Sequence, residues 1–248
     1  DNDIKTLTPD IIYEFFKLTG SNEKTNSNNQ MYKYKVHLRR FLNYLLLLGK
    51  IDEEIVLSIP DIKYIRNKEL PSVFTSDEIK RIVDSIDRNS AVGKRAYAMI
   101  MLSVKYGLRA GDVTNLKFEN IDWENRMIRI SQNKTKRIIE LPLLPEVGNA
   151  ILDYLKNARR KSSLPFVFLN IKGPIHPITS QTFYGILNKY ISKSSIENID
   201  KRHHGPHSLR HTLASQMLKN GEELTTISAT LGHSSTQVTT VYLSIDYL

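Results

Sequence analysis

Cysteine is absent from the 248 residues of this chain. Its absence excludes disulfide bonds, thiolate chemistry and cysteine-ligated zinc, and it is typical of a cytoplasmic protein. The sequence also lacks any run of about 18 apolar residues, which argues against a membrane-spanning helix. We recognise no signal peptide at its start. These absences together predict a cytoplasmic protein with no membrane partner.

Positive charge is in surplus. The chain has 35 lysines and arginines against 26 aspartates and glutamates, for a formal net charge of +9. Such a surplus favours a polyanionic partner, although a lysine-rich surface without any partner would give the same count. The hydrophobic content of 40% is enough for a core. The length suits one large domain or two modest ones.

Most of the residues that could carry chemistry lie between His203 and Tyr242. Gly205-Pro206 predicts the start of a helix, because proline suits the first helical position. Gly221 predicts the end of that helix about four turns later. The first turn of this helix is therefore the first place to search for a site.

His207 and Arg210 lie three residues apart, on one side of that first turn. Arg210 also lies on an apolar face of the helix, where a permanent charge is costly unless an anion meets it. The helix N-terminus adds unpaired amides and the positive end of the helix dipole. The pattern predicts a bound anion, and a phosphate is the best fit.

Two further residues complete the pattern. His233 follows a Leu-Gly pair that predicts the end of a short helix, which places its imidazole at a turn. Tyr242 comes nine residues later, on a short helix predicted to begin near Ser235 or Thr236. Val238 and Val241 lie at helical spacing from Tyr242, so a packed core tyrosine is the alternative interpretation.

A zinc site is a rival interpretation of the histidines. His207 and His211 are four residues apart, as in helical zinc pairs. The glutamate of that zinc motif is missing, however, and Arg210 would repel a cation. We therefore expect no metal.

Another arginine follows a second predicted helix. Residues 93–106 are apolar on most sides, which indicates a buried helix that ends at Gly107. Arg109 comes directly afterwards, so it is either structural or directed into a pocket.

A period of two between residues 121 and 143 predicts two strands joined by a hairpin turn. Residues 127–131 and 137–143 form the strands, and residues 132–136 form the turn. A lysine in such a polar turn is ordinarily solvated. The turn holds Lys134 and Lys136.

Residues 1–66 predict a small helical unit. One helix starts at Thr8-Pro9, and a longer one runs from about residue 30 to 48. The longer helix has a predicted core stripe at helical spacing: Tyr34, Leu38, Phe41, Leu45 and Leu48. Basic residues flank that stripe and are candidate phosphate contacts or simply a solvated face: Lys33, Lys35, Arg39 and Arg40. Residues 67–74 predict a linker, and a helix start follows at Thr75 to Glu78.

The spaced set of His-x-x-Arg, Leu-Gly-His and Tyr resembles the C-terminal active-site box of the tyrosine recombinases, the phage integrase family. The spacing is similar to that of Xer-type members, with 26 residues from His207 to His233 and nine more to Tyr242. The sequence GLRAGDV around Arg109 resembles the motif that carries the first catalytic arginine of the family. The resemblance covers residues 71–242 well and the earlier residues loosely.

The resemblance implies a mainly α fold with a small antiparallel β-sheet and two domains. A helical core-binding domain would occupy residues 1–66, the linker 67–74 and the catalytic domain 75–248. It also implies six catalytic residues, with Tyr242 as the nucleophile: Arg109, Lys134, His207, Arg210, His233 and Tyr242. Asp112 would orient Arg109. Lys136 and Lys105 are less suitable alternatives to Lys134, and Tyr247 is a weaker alternative nucleophile.

The function implied by the resemblance is site-specific DNA recombination through a 3′-phosphotyrosine, without metal or cofactor. The partner would be a double-stranded DNA recombination site, on which a homotetramer exchanges strands through a Holliday junction. The protein would be bacterial-type, cytoplasmic and nucleoid-associated when acting. A type IB topoisomerase and a non-catalytic DNA-binding accessory factor are the alternatives.

Overall fold

The computed structural model describes residues 4–20, 28–65, 72–132, 137–232 and 239. The chain divides into two compact units, Asp1–Glu69 and Leu70–Leu248. Most of the predicted linker lies outside the described residues, but Phe74 is buried in the core of the second unit. In the part of the chain that the structure describes, each helix is too short or too polar to cross a membrane.

The first unit is helical. Its helices are α1 (Pro9–Gly20), α2 (Asn28–Leu47) and the short α3 (Glu53–Leu57). Their buried side chains form one cluster: Ile12, Phe16, Met31, Leu42, Leu45, Ile51, Ile55 and Ile59. The two predicted helices are confirmed, whereas α3 was not predicted from the sequence.

The predicted core stripe of α2 is confirmed in part, because Leu45 is buried and Tyr34 and Leu38 pack against the core, whereas the other two predicted members are exposed. Phe41 is 54% exposed and Leu48 is 51% exposed. The stripe that faces the core is Met31, Lys35, Leu38, Leu42 and Leu45, which has the same helical spacing. The prediction placed Lys35 beside the stripe, and an unpaired ammonium in the core would be costly. Asp61 removes that cost, since its carboxylate lies 2.6 Å from the Lys35 Nζ.

The second unit is also mainly helical. Its helices are α4 (Ser76–Asp84), α5 (Ala91–Tyr106), α6 (Ala110–Thr114), α7 (Pro145–Asn157), α8 (Ser180–Lys193), α9 (Pro206–Lys219) and α10 (Leu224–Leu231). The predicted start of α4 is confirmed, and Thr75 and Glu78 form a capping box there. The predicted burial of α5 is also confirmed, because ten of its residues are buried. This helix packs against α7 and α9, so it supports the helix that carries His207 and Arg210.

A small antiparallel sheet lies in the second unit. Its strands β1 (Ile121–Asp122), β2 (Met127–Ser131) and β3 (Ile138–Pro142) follow one another in chain order. In the register, Ile130 is opposite Ile139. The β2–β3 hairpin continues by one bond beyond the strands, in which the Gln132 amide donates to the Arg137 carbonyl at 2.8 Å. The predicted fold class, mainly α with a small antiparallel sheet, is confirmed.

The segment before α4 is bound to α9. The backbone amide of Phe74 donates to the Thr212 hydroxyl at 2.8 Å. Arg202, just before α9, donates to the Glu78 carboxylate at 2.5 Å and to the Val73 carbonyl at 3.2 Å. These bonds attach the start of α9 to the second unit at two places: at Arg202, just before the helix, and at Thr212, near the end of its second turn.

Candidate active site

The first turn of α9 is set by Gly205 and Pro206. Pro206 is the first helical residue, as predicted, and Gly205 precedes it with a φ of +145°. A side chain on Gly205 would overlap the ring of Tyr184, whose hydroxyl donates to the His204 carbonyl at 3.2 Å. Glycine is therefore needed there both for its backbone conformation and for the close approach of the ring. His207 follows as an exposed residue of the first turn.

Arg210 is buried, with 4% of its surface exposed. Its Nη1 donates to the Gly107 carbonyl at 2.8 Å, and its Nη2 donates to the Leu231 carbonyl at 2.5 Å. The sequence predicted that an anion would offset the cost of this buried charge. The structure shows that two main-chain carbonyls hold the guanidinium in place. Carbonyls accept hydrogen bonds but bring no net charge, so an anion would still be attracted.

Arg109 lies at the turn between α5 and α6. Gly107 ends α5 in the left-handed conformation, with a φ of +60°, and Arg109 is the N-cap residue of α6. The Arg109 Nη1 donates to the Gln132 Oε1 at 2.7 Å. The Asp112 carboxylate lies 4.0 Å from the same nitrogen and is buried. Both groups hold the arginine side chain toward the end of β2.

Gln132 joins the two arginines. Its side chain is fully buried, and its Nε2 donates to the Leu231 carbonyl at 2.9 Å. That carbonyl is also the acceptor for Arg210. A continuous set of hydrogen bonds therefore runs from Arg109 through Gln132 and Leu231 to Arg210.

No role for Gln132 was predicted from the sequence, although a signal was present. Ile128 and Ile130 alternate along β2, and Gln132, the residue directly after the strand, continues the same alternation onto the same face. The two isoleucines are buried. Because Gln132 is the next residue in this every-second-residue pattern, its side-chain amide should also face inward. A buried amide needs hydrogen-bond partners for both its oxygen and its nitrogen.

Gly232 ends α10 in the left-handed conformation, with a φ of +64°. This confirms the prediction that the Leu-Gly pair ends a short helix. A Cβ atom on Gly232 would overlap the amide of Gln132. Glycine at this position therefore permits the left-handed turn and leaves room for the Gln132 amide.

His211 lies one turn after His207 on α9. Burial, together with the neighbouring His207 and Arg210, lowers the pKa of His211 to about 4. It is therefore neutral near pH 7. Among the described residues, no cluster of three or more histidines and carboxylates is arranged to hold a metal ion.

Three of the six predicted catalytic residues lie outside the described residues: Lys134, His233 and Tyr242. Lys136 and Tyr247, the weaker alternatives, do so too. Lys105, the other alternative to Lys134, is described, and its Nζ lies 2.7 Å from the Glu146 carboxylate. The structure brings together the remaining three, since Arg109 and Arg210 share one network and His207 lies on the turn that carries Arg210.

The four predicted phosphate contacts of α2 differ in exposure. Lys33, Arg39 and Arg40 are exposed. Lys35 is buried, and its Nζ donates to Asp61 at 2.6 Å and to the Ile62 carbonyl at 3.1 Å. This geometry speaks against a phosphate contact by Lys35, because its ammonium is held within the helical unit.

Comparisons with known proteins identify the family of this chain. The chain is 35% identical to a Sinorhizobium fredii protein named as an integrase/recombinase, over 84% of this chain and 50% of that protein. It is 30% identical to the tyrosine recombinase XerD of Listeria innocua, over 98% of this chain and 82% of that protein. The chain thus spans about half the length of the first of these relatives.

The solved structures show the same fold. The XerH site-specific recombinase, in a pre-cleavage complex with its difH substrate, matches with a TM-score of 0.73. The sequence identity is 21%, over 94% of this chain and 66% of that one. The model of the phage integrase family matches residues 72–248, the region that contains the network around Leu231. The chain belongs to the phage integrase family, the tyrosine recombinases.

Proposed function

We propose that this protein is a site-specific recombinase that cleaves and rejoins duplex DNA through a covalent tyrosine intermediate. The observation that carries the proposal is the joint placement of Arg109 and Arg210. One hydrogen-bond network orients both guanidinium groups, and His207, which we propose as the general base, lies on the same turn as Arg210. Two oriented guanidiniums suit a phosphodiester, whose non-bridging oxygens gain charge during substitution.

In the proposed reaction the Tyr242 hydroxyl oxygen forms a bond to the phosphorus. The bond from phosphorus to the 5′-oxygen breaks, which leaves a 3′-phosphotyrosine. His207 takes the tyrosine proton, and Lys134 supplies a proton to the departing 5′-oxygen. Arg109, Arg210 and His233 hold the non-bridging oxygens. A 5′-hydroxyl of another strand then reverses the step, so rejoining needs no nucleotide cofactor.

The rest of the proposed function concerns assembly on DNA. The exposed Lys33, Arg39 and Arg40 contact backbone phosphates, and Asp112 keeps Arg109 oriented. Four copies of the chain join two DNA sites and pass through a Holliday junction. The similarity to the tyrosine recombinase XerD and the solved complex of XerH with its difH substrate support a duplex recombination site as the partner.

The experiment that tests the chemistry uses nicked duplexes that carry the sequences flanking the gene. The nick lets the cleaved fragment diffuse away, so a covalent adduct accumulates and is read on a denaturing gel. We expect an adduct that forms in EDTA, is lost in Tyr242→Phe and is kept in the matched control Tyr247→Phe. A duplex that is bound but never joined to the native protein would contradict the proposal.

A second assay separates the recombinase from a type IB topoisomerase. Paired sites on one plasmid should give recombinants and Holliday junctions, whereas a plasmid without sites should remain supercoiled. Relaxation of the plasmid that lacks sites would favour the topoisomerase instead. Binding without an adduct would favour the accessory factor.

A further inference from the structure

We infer that Gln132 is a positioning residue that fixes Arg109, and through Leu231 also Arg210, in the geometry that the reacting phosphate requires. This inference rests on the proposed function. Gln132 acts through the two arginines in this role.

The chemistry of the amide suits this task. The two ends of the Gln132 side chain carry opposite hydrogen-bonding character, with an acceptor oxygen and a donor nitrogen. The oxygen accepts from Arg109 at 2.7 Å, and the nitrogen donates to the Leu231 carbonyl at 2.9 Å. A carboxylate could serve the arginine but not the carbonyl, and an aliphatic side chain could serve neither.

Because they are buried, these hydrogen bonds restrict the side chains of Gln132 and Arg109 to one arrangement. No surface of the Gln132 side chain is exposed, and the Arg109 side chain is only 16% exposed. Water therefore offers little compensation for a broken bond, so the observed arrangement is strongly preferred. The carboxylate of Asp112 is a longer-range partner of Arg109, at 4.0 Å. Of these two contacts, the direct one comes from Gln132.

The position of Gln132 in the chain extends its influence. Its backbone closes the β2–β3 hairpin by a bond to the Arg137 carbonyl at 2.8 Å, and Lys134 follows two residues later in the sequence. Its side chain ends on Leu231, two residues before His233. Gln132 therefore bonds to both arginines, directly or through Leu231. It also lies close in sequence to Lys134, and its partner Leu231 lies close in sequence to His233.

The decisive variant is Gln132→Met, which keeps the length of the side chain but removes both hydrogen bonds. The matched control is Gln216→Met on α9, where the amide makes only a 3.5 Å contact with Ser76 among the bonds described. On nicked duplexes we expect Gln132→Met to slow single-turnover adduct formation roughly 10- to 100-fold, since small displacements of reacting groups cost this much. DNA affinity should stay within about threefold, because positioning affects the transition state more than binding.

A double-mutant cycle tests whether Gln132 acts through Arg109. In an Arg109→Lys background, Gln132→Met should slow the reaction by clearly less than it does in the native background, because only its effect through Leu231 and Arg210 remains. A full multiplicative loss in that background would overturn the inference, because Gln132 would then act independently of Arg109. An unchanged rate in the single variant would overturn it too.

A crystal structure of Gln132→Met gives a readout that does not depend on activity. We expect the Arg109 guanidinium to move away from its place beside β2. If it stays in place, the inference fails even when the native protein forms adducts. If the native protein forms no adduct on bound DNA, the proposed function fails, and the movement of Arg109 separately reports whether Gln132 positions it.

Discussion

Gln132 and Arg210 donate hydrogen bonds to the same carbonyl oxygen, that of Leu231 at the end of α10. One acceptor thus serves a residue of the β2–β3 hairpin and a residue of α9. The carbonyls at the end of a helix have no partner within it, and they lie at the negative end of the helix dipole. A buried arginine is a favourable partner for such a carbonyl. The C-terminal end of α10 therefore helps to hold Arg210 in the site.

Arg210→Lys should impair both the reaction and the fold. Lysine cannot bond the Gly107 and Leu231 carbonyls with the fixed fork of a guanidinium. We expect adduct formation to slow by about 100-fold or more, as for loss of an oriented transition-state donor. The free energy of unfolding should fall by about 1–3 kcal/mol, because a buried acceptor loses its partner.

The control for that variant is Arg95→Lys. Arg95 is also a buried arginine, and its Nη1 donates to the Leu169 carbonyl at 3.0 Å. It lies on α5, three turns before Gly107. Urea unfolding should show a comparable loss of stability, whereas adduct formation per folded molecule should be unchanged. A similar slowing in both variants would mean that stability alone explains the effect.

Gly232→Ala should displace Gln132. The alanine would have to adopt a φ of +64°, and its methyl group would overlap the Gln132 amide. We expect a loss of about 2–4 kcal/mol in the free energy of unfolding, from backbone strain together with the steric conflict. Gly173→Ala is the matched control, because its φ is +75° and no atom lies within 4 Å of the added carbon. That control should lose only about 1–2 kcal/mol. Equal losses in chemical denaturation would contradict the steric argument.

Acid should destabilise the protein in part through His211. Its pKa is lowered in the folded state to about 4, from an ordinary value of 6.5. The unfolded state therefore takes up a proton between pH 6.5 and 4 that the folded state does not. Stability is fully present above about pH 6.5 and is lost as the pH falls, by at most about 3 kcal/mol from this group.

Urea unfolding at pH 7.5 and pH 5 measures this contribution. His211→Asn should show a smaller loss of stability on acidification than the native chain. The control is His176→Asn, which removes an exposed imidazole and should leave the acid loss unchanged. The same acid loss in the native chain and in His211→Asn would show that other groups cause it.

Lys35 and Lys33 should behave differently, although both are lysines of α2. Lys35→Ala should lower the free energy of unfolding by about 1–3 kcal/mol, since it removes a buried side chain and its bonds to Asp61 and Ile62. Lys33→Ala should change stability by less than about 0.5 kcal/mol. If Lys33 contacts a phosphate, its removal should reduce the salt dependence of DNA binding by about one ion. A reduced salt dependence in Lys35→Ala instead would reverse this assignment.

Local patterns predicted most of the secondary structure. The apolar run of α5, the Gly-Pro start of α9 and the Leu-Gly end of α10 each determine their own element, because the signal lies within a few residues. The short α3 and α6 lack such a signal. The part of the α2 prediction that left Lys35 outside the core failed for a long-range reason, since the ammonium of Lys35 is paired with Asp61, 26 residues later in the chain.

The candidate site was predictable to a similar extent. The motif around His207 and Arg210 identified the turn that carries them. The partners of Arg210, however, are main-chain carbonyls 103 and 21 residues away in sequence. No side-chain pattern specifies a carbonyl acceptor, so the role of Leu231 could be found only from the structure.

The short turn from Gly107 to Arg109 has a consequence for protein engineering. Its first residue accepts a bond from Arg210, and its last residue carries the other guanidinium. The spacing between the two positive groups is thus defined by three consecutive residues of backbone. A one-residue insertion or deletion in this turn would change both arginines at once, so chimaeras between related proteins should be joined on either side of it and never within it.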